Sequence, residues 1–92
     1  MKTLTSKQVT AALPALRGWK LNGTEIYKKF VKKDFVVAMG FVQSVALLAE
    51  QMDHHPDIDI RWNTVTLVLS THSTGGLTQK DFELARKINQ LK

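Results

Sequence analysis

Trp19-Lys20-Leu21-Asn22-Gly23-Thr24-Glu25-Ile26-Tyr27-Lys28-Lys29-Phe30-Val31 reads as two strands hinged on a tight turn. Asn22-Gly23 is a strong hairpin signal, because a type I′ turn asks both central residues for positive φ and these two residue types tolerate it. The flanking strands are expected over Trp19 to Leu21 and Thr24 to Val31. A second segment of the same kind lies further on. Ile58, Ile60 and Trp62 alternate with polar residues, and after Asn63-Thr64 the alternation resumes with Val65, Leu67 and Leu69 on one face. Two local hairpins make an antiparallel sheet.

Outside the hairpins the apolar period turns helical. Thr5 and Gln8 have the spacing of a capping box, and Val9, Ala12, Leu13 and Leu16 recur at helical intervals until Pro14 and Gly18 end the segment. From Asp34, a fitting N-cap, to about Met52 the chain has no proline and reads as the longest helix. Its polar residues Gly40, Gln43, Ser44, Glu50 and Gln51 fill roughly 120° of the helical wheel and leave about 200° apolar. That is wide for one interface. Phe35, Met39, Val42 and Ala46 are expected to cover the sheet, while Val37, Phe41, Leu48 and Met52 need a second cover from the last helix or a second subunit. Thr78 and Asp81 repeat the capping-box spacing ahead of Phe82, Leu84, Ala85, Ile88 and Leu91, the apolar face of a terminal helix. The expected architecture is α+β in the order αββαββα, a single domain over residues 1–92 with a four-stranded antiparallel sheet and its helices on one face.

Ninety-two residues, 43% of them hydrophobic, make room for one core and exclude a second catalytic domain. The absence of cysteine suits a reducing compartment and removes thiolate chemistry, disulfides and cysteine zinc sites. Met1 is followed by polar residues, and no uninterrupted apolar run approaches the roughly 20 residues of a membrane span. A cytoplasmic location with no membrane partner is therefore expected. Domains this small often lean on a partner subunit, and the wide apolar arc of the long helix points to a homodimer or homotetramer. A formal charge of +5 raises the question of nucleic acid. The basic cluster Lys28, Lys29, Lys32 and Lys33 is interrupted by Phe30 and Val31 and closed by Asp34, so it reads as a solvated strand end rather than a phosphate-tracking surface.

Asp53-His54-His55-Pro56 falls between the long helix and a strand. His72, the third of three histidines, is read as the end of the last strand before Ser73-Thr74-Gly75-Gly76, a turn that lets a ligand approach the backbone. Imidazole titrates near about pH 6.5, so a histidine cluster offers both a proton donor and an acceptor at neutral pH. Histidines at element ends are also common as plain hydrogen-bonding residues, and three of them can hold zinc with an open position. Against zinc, the adjacent side chains of His54 and His55 diverge, and no metal is expected.

Glu50, three residues, His54-His55-Pro56, five residues, Trp62, nine residues, His72, eight residues and Asp81 closely resembles the signature of the pterin-4a-carbinolamine dehydratases. The likeness continues through Gly18-Trp19, Lys33-Asp34-Phe35, Gly40-Phe41, Val45-Ala46 and Leu69-Ser70-Thr71-His72, nearly the whole chain. The resemblance implies an α+β domain with a four-stranded antiparallel sheet, in agreement with the order read from the residues. It also implies a substrate. That substrate is 4a-hydroxytetrahydrobiopterin, formed when an aromatic amino acid hydroxylase uses tetrahydrobiopterin, and the products are quinonoid dihydropterin and water. No cofactor is implied, the pterin itself being the substrate.

Residue by residue, His54, His55 and His72 match the family's active-site histidines, and Asp53, Ser70, Thr71 and Ser73 match its pterin-contacting positions. Trp19 matches a tryptophan near the site, and Asp81 the signature's last acid, which N3 capping alone would also explain. His55 and His72 are expected to be the proton-transfer pair, with His54 orienting the pterin. Ser73 and Thr74 stand where some members have acidic and cysteine residues, and Lys80 where an arginine can occur; both changes touch the rim. Animal relatives also act as dimerisation partners of a transcription factor, so a non-catalytic dimerisation or coactivator module is the alternative. Retention of all three histidines favours activity.

Overall fold

The computed structural model describes residues 2–91; Met1 and Lys92, the ends of the expected domain, lie outside the described residues. The elements run α1 (Ser6–Ala12), a 3-10 turn (Leu13–Ala15), β1 (Lys20–Asn22), β2 (Glu25–Val31), α2 (Phe35–Met52), β3 (Asp57–Arg61), β4 (Thr64–Leu69), a second 3-10 turn (His72–Thr74) and α3 (Gln79–Asn89). The sheet is antiparallel throughout in the order β1-β2-β4-β3, so the two hairpins join through β2 and β4. The α+β architecture expected from the sequence is the one observed.

Register follows burial. Ile26 pairs with Leu69 and Phe30 with Val65, and the strand period of two sends Ile26, Val65, Leu67 and Leu69 to the helix-covered face, where all four are 0% exposed. Each hairpin turn consequently sits one residue from its expected place. Asn22 pairs with Glu25, leaving Gly23 and Thr24 as the first turn, with positive φ only at Gly23 (62°). This is the pattern of a type II′ turn, which asks for glycine only at its first central position. In the second hairpin Arg61 pairs with Thr64, and Trp62-Asn63 makes the turn. Trp62 lies at φ 51° and is 66% exposed, so the strand alternation stops at Ile60.

Asp34 caps α2 by accepting from the Val37 N–H at 2.9 Å. The helix buries Ala38, Phe41, Val45 and Ala49; of the expected stripe, Val42 packs half-buried against the core and Ala46 is half-buried, while Phe35 and Met39 are exposed. Two alanines let the helix approach its neighbours closely, and their small side chains weigh little in a reading that follows bulky apolar residues. α3 packs against α2 and buries Phe82, Leu84, Ala85 and Ile88 in the same core. Phe35, Val36, Val37, Met39 and Leu47 remain exposed. By length and composition α2 is also apolar enough to cross a membrane, with a mean hydropathy of 1.5; here its buried stripe is engaged in the core shared with the sheet and α3.

Gly18 turns the chain from the first 3-10 turn into β1 at φ 83°, and a Cβ there would lie 2.7 Å from Lys28 Cε. Gly18→Ala is therefore expected to cost about 1 to 2 kcal/mol from the left-handed backbone alone. An unchanged thermal midpoint would contradict this.

Candidate active site

The site begins at the end of α2. Asp53 takes the left-handed conformation (φ 50°, ψ 44°), one that aspartate tolerates better than most non-glycine residues, and its N–H and that of His54 bond back to the last turn. Pro56 then keeps His55 out of the helical region. The reversal sends the two adjacent histidines in opposite directions. His54 turns inward and is 9% exposed, while His55 stays on the surface.

His54 meets Asp81, with Nε2 2.5 Å from Oδ1. Asp81 is the N3 residue of α3 and is 0% exposed. Its other oxygen, Oδ2, accepts from the Thr78 N–H at 2.9 Å and from the Thr71 hydroxyl at 2.8 Å. Thr71 Oγ1 in turn lies 2.8 Å from Thr78 Oγ1. Three donors compensate the buried carboxylate, which makes its burial tolerable. The capping role and the histidine-anchoring role thus fall on one side chain.

This network joins the end of α2 to the loop after β4. The strand ends at Leu69, Thr71 forms an isolated bridge with Gly76, and His72 opens the 3-10 turn rather than ending the strand as expected. Gly75 closes the turn at φ 73°. His72 and Ser73 are exposed, Ser70 is half-buried, and Asp53 is exposed at the helix end. His55 Nε2 lies 2.7 Å from Glu50 Oε1, an exposed pair one turn back along α2. Thr71, matched to a pterin-contacting position, directs its hydroxyl into the buried network.

Trp19 lies elsewhere. Its indole N–H donates to Asn89 Oδ1 at 3.0 Å, at the opposite end of α3 from Asp81. Asn89 Oδ1 also accepts from Lys28 Nζ at 2.8 Å, and Lys28 donates to the Arg17 carbonyl at 2.9 Å. Burial, then Arg17 and Lys32 nearby, hold the Lys28 ammonium below the usual lysine range. With 4% exposure and an edge-on Phe30 ring at 6.3 Å, Trp19 is a packing residue here. Thr78, unmarked as a site residue by the sequence, is 0% exposed within the Asp81 network. Among the described residues, no three His, Cys, Asp or Glu side chains are grouped so as to hold a metal ion.

A transcriptional coactivator/pterin dehydratase from Brucella melitensis, known from its crystal structure, superposes with a TM-score of 0.91 at 42% identity, covering 96% of each chain. A pterin dehydratase-like protein described as a RuBisCO assembly factor in the alpha-carboxysome superposes with a TM-score of 0.67 at 20% identity, over 79% of this chain and 87% of that one, and is alike in fold alone. The fold is that of the pterin dehydratases. A protein from Roseiflexus sp. (strain RS-1), provisionally assigned as a pterin-4-alpha-carbinolamine dehydratase, is 51% identical over 96% of this chain and 95% of its own length. A protein of the same provisional assignment from Acidobacterium capsulatum is 50% identical over 99% of both. The family model described as Pterin 4 alpha carbinolamine dehydratase matches residues 2–91, and the chain belongs to that family. Membership supports carbinolamine dehydratase activity in general.

Proposed function

We propose that the chain dehydrates 4a-hydroxytetrahydrobiopterin to quinonoid dihydropterin and water, as a cytoplasmic step of tetrahydrobiopterin recycling alongside an aromatic amino acid hydroxylase. The observation that carries this reading is the His54–Asp81–Thr71 linkage, which ties the helix end bearing His54 and His55 to the loop bearing His72. Water loss breaks the C4a–O bond and forms the C4a=N5 bond, so the hydroxyl takes up one proton and N5 gives one up. His55 and His72 serve the two transfers, and anchored His54 orients the pterin, with Asp53, Ser70 and Ser73 at the rim. The pterin is the substrate, and no cofactor or metal is invoked.

Enzymatically generated 4a-hydroxytetrahydrobiopterin, followed to quinonoid product at alkaline pH where the spontaneous reaction should be slower, tests the reading. Acceleration that survives dialysis against a chelator is expected. No acceleration would sink it, and a loss restored by zinc would replace it with a histidine-held metal site.

A second reading, partner binding without catalysis, draws on the exposed apolar residues of α2 and on the similarity to the Brucella melitensis transcriptional coactivator/pterin dehydratase. Normal partner binding with no dehydration above the spontaneous rate would favour it. Under either reading the chain is expected to self-associate, as a dimer or tetramer, because Phe35, Val36, Met39 and Leu47 are left uncovered on α2. Sedimentation showing only monomer at micromolar concentration would contradict that expectation.

A further inference from the structure

Lys28 stands apart from the solvated cluster in which its sequence neighbours place it. The strand period puts it with Ile26 and Phe30 on the helix-covered face of β2, half-buried, and its ammonium ties three parts of the chain together. It donates to the Arg17 carbonyl at 2.9 Å and to Asn89 Oδ1 at 2.8 Å. Gly18 crosses directly over it, where a Cβ would lie 3.1 Å from Lys28 Nζ. The Arg17 carbonyl also accepts from Asn89 Nδ2 at 3.1 Å, and Asn89 Oδ1 from the Trp19 indole N–H at 3.0 Å, so both lone pairs of each oxygen are taken. The ammonium keeps one proton to give and Asn89 Nδ2 keeps another. What this fixed corner still offers is donors.

Beside it, at the far end of α3 from Asp81, lies an open cavity of about 450 Å³ that Arg17, Lys28, Arg86 and Asn89 line together with Ala15 and Leu16. Among the described residues, no carboxylate lines this cavity and no ion pair takes up Arg17, Lys28 or Arg86. The C-terminal end of α3 supplies only about half a negative charge, too little for three cations. Lys28 registers the imbalance, since after burial it is Arg17, then Lys32, that disfavours its charged form. An anion in the cavity would relieve that repulsion. Guanidinium forks match the oxygens of a phosphate, and a volume within the roughly 300 to 1,000 Å³ of small-molecule sites leaves room for more than a bare ion. We propose that this cavity binds a small phosphorylated molecule, its phosphate held by Arg17, Arg86 and the Lys28 ammonium and its organic body lying against Ala15 and Leu16. The site is separate from the histidines, and the inference goes beyond the dehydratase reading without resting on it.

The test titrates the full chain with adenosine monophosphate, glycerol phosphate and inorganic phosphate, with adenosine and glycerol as uncharged controls, at fixed ionic strength. The Trp19 indole and Asn89 side-chain amide signals in 15N NMR report on the site. At least one of the two phosphomonoesters is expected to bind roughly tenfold or more tightly than inorganic phosphate, and the controls not to bind. Equal, weak binding of all three phosphates would mean an adventitious ion only and overturns the proposal. So does the absence of any shift, or adenosine binding as well as its phosphate. Arg17→Gln and Arg86→Gln should each weaken the phosphomonoester roughly 10- to 100-fold, the worth of a hydrogen bond to a charged group. Both side chains are exposed, and Arg17 holds Lys28 through its backbone carbonyl, so the thermal midpoint should stay near wild type. Lys87→Gln removes the same charge from the same turn of α3, but Lys87 faces Glu83 outside the cavity, and binding should be unchanged. Equal losses in all three variants would reveal general attraction to a basic surface and overturn the assignment of a site.

Discussion

Turnover of 4a-hydroxytetrahydrobiopterin is expected to fall roughly 10²- to 10⁴-fold when either His55 or His72 is replaced by alanine, the range of a lost general acid or base. Both side chains are exposed, and His55 pairs with the exposed Glu50. The fold should therefore survive, with an unchanged far-UV spectrum and a thermal midpoint near that of the wild type. His54→Ala should behave differently, raising KM more than it lowers kcat, since an orienting residue acts in the ground state and the transition state alike. Residues that act together in one reaction are not additive, so the double replacement of His55 and His72 should lose less than the product of the single losses. Full turnover in both single variants, with none in His54→Ala, would reverse the assignment of roles.

Asp81→Ala should be the most destabilising single change at the site. Asp81 is 0% exposed, and truncating it leaves the Thr71 hydroxyl, the Thr78 N–H and the His54 Nε2–H without their acceptor. Breaking a buried, hydrogen-bonded charge of this kind costs about 3 to 5 kcal/mol. A domain of this size is stable by only about 5 to 15 kcal/mol in total. At roughly 4 to 8 °C per kcal/mol, the thermal midpoint should drop by more than about 12 °C at fixed protein concentration. Pterin affinity should fall as well, because His54 is released. A midpoint within a few degrees of wild type would mean that the network is not held in solution as it is in the structure.

The elements themselves were legible in the sequence because short-range physics specifies them. Thr5 with Gln8, Asp34, and Thr78 with Asp81 each mark a helix start that the structure contains. The turns were legible only to within a residue, since Asn22-Gly23 and Gly23-Thr24 both offer acceptable turn chemistry. Burial of Ile26 opposite Leu69, a long-range fact, selects between them. For the same reason the buried stripe of α2 was misread: Ala38 and Ala49 gain their place from the closeness of neighbours that no helical wheel contains. At the site, the histidines stood out by residue type. Their support did not, because the His54–Asp81 bond spans 27 positions, and the capping-box spacing marks Thr78 only as a helix start. Asp81 could be read as a cap or as a site residue, and the structure makes it the first while bonding it to His54.

That double employment bears on how such chains would diverge. A descendant that gave up the chemistry and kept only the shape would still be under selection to retain Asp81, Thr71 and Thr78, since losing any of them penalises folding itself. His72, exposed on its turn, contributes no comparable stability and could drift without cost. Within a lineage of this fold, the presence of the aspartate is thus a poor marker of a working catalyst, and the exposed histidines are the positions whose loss would record the change of trade.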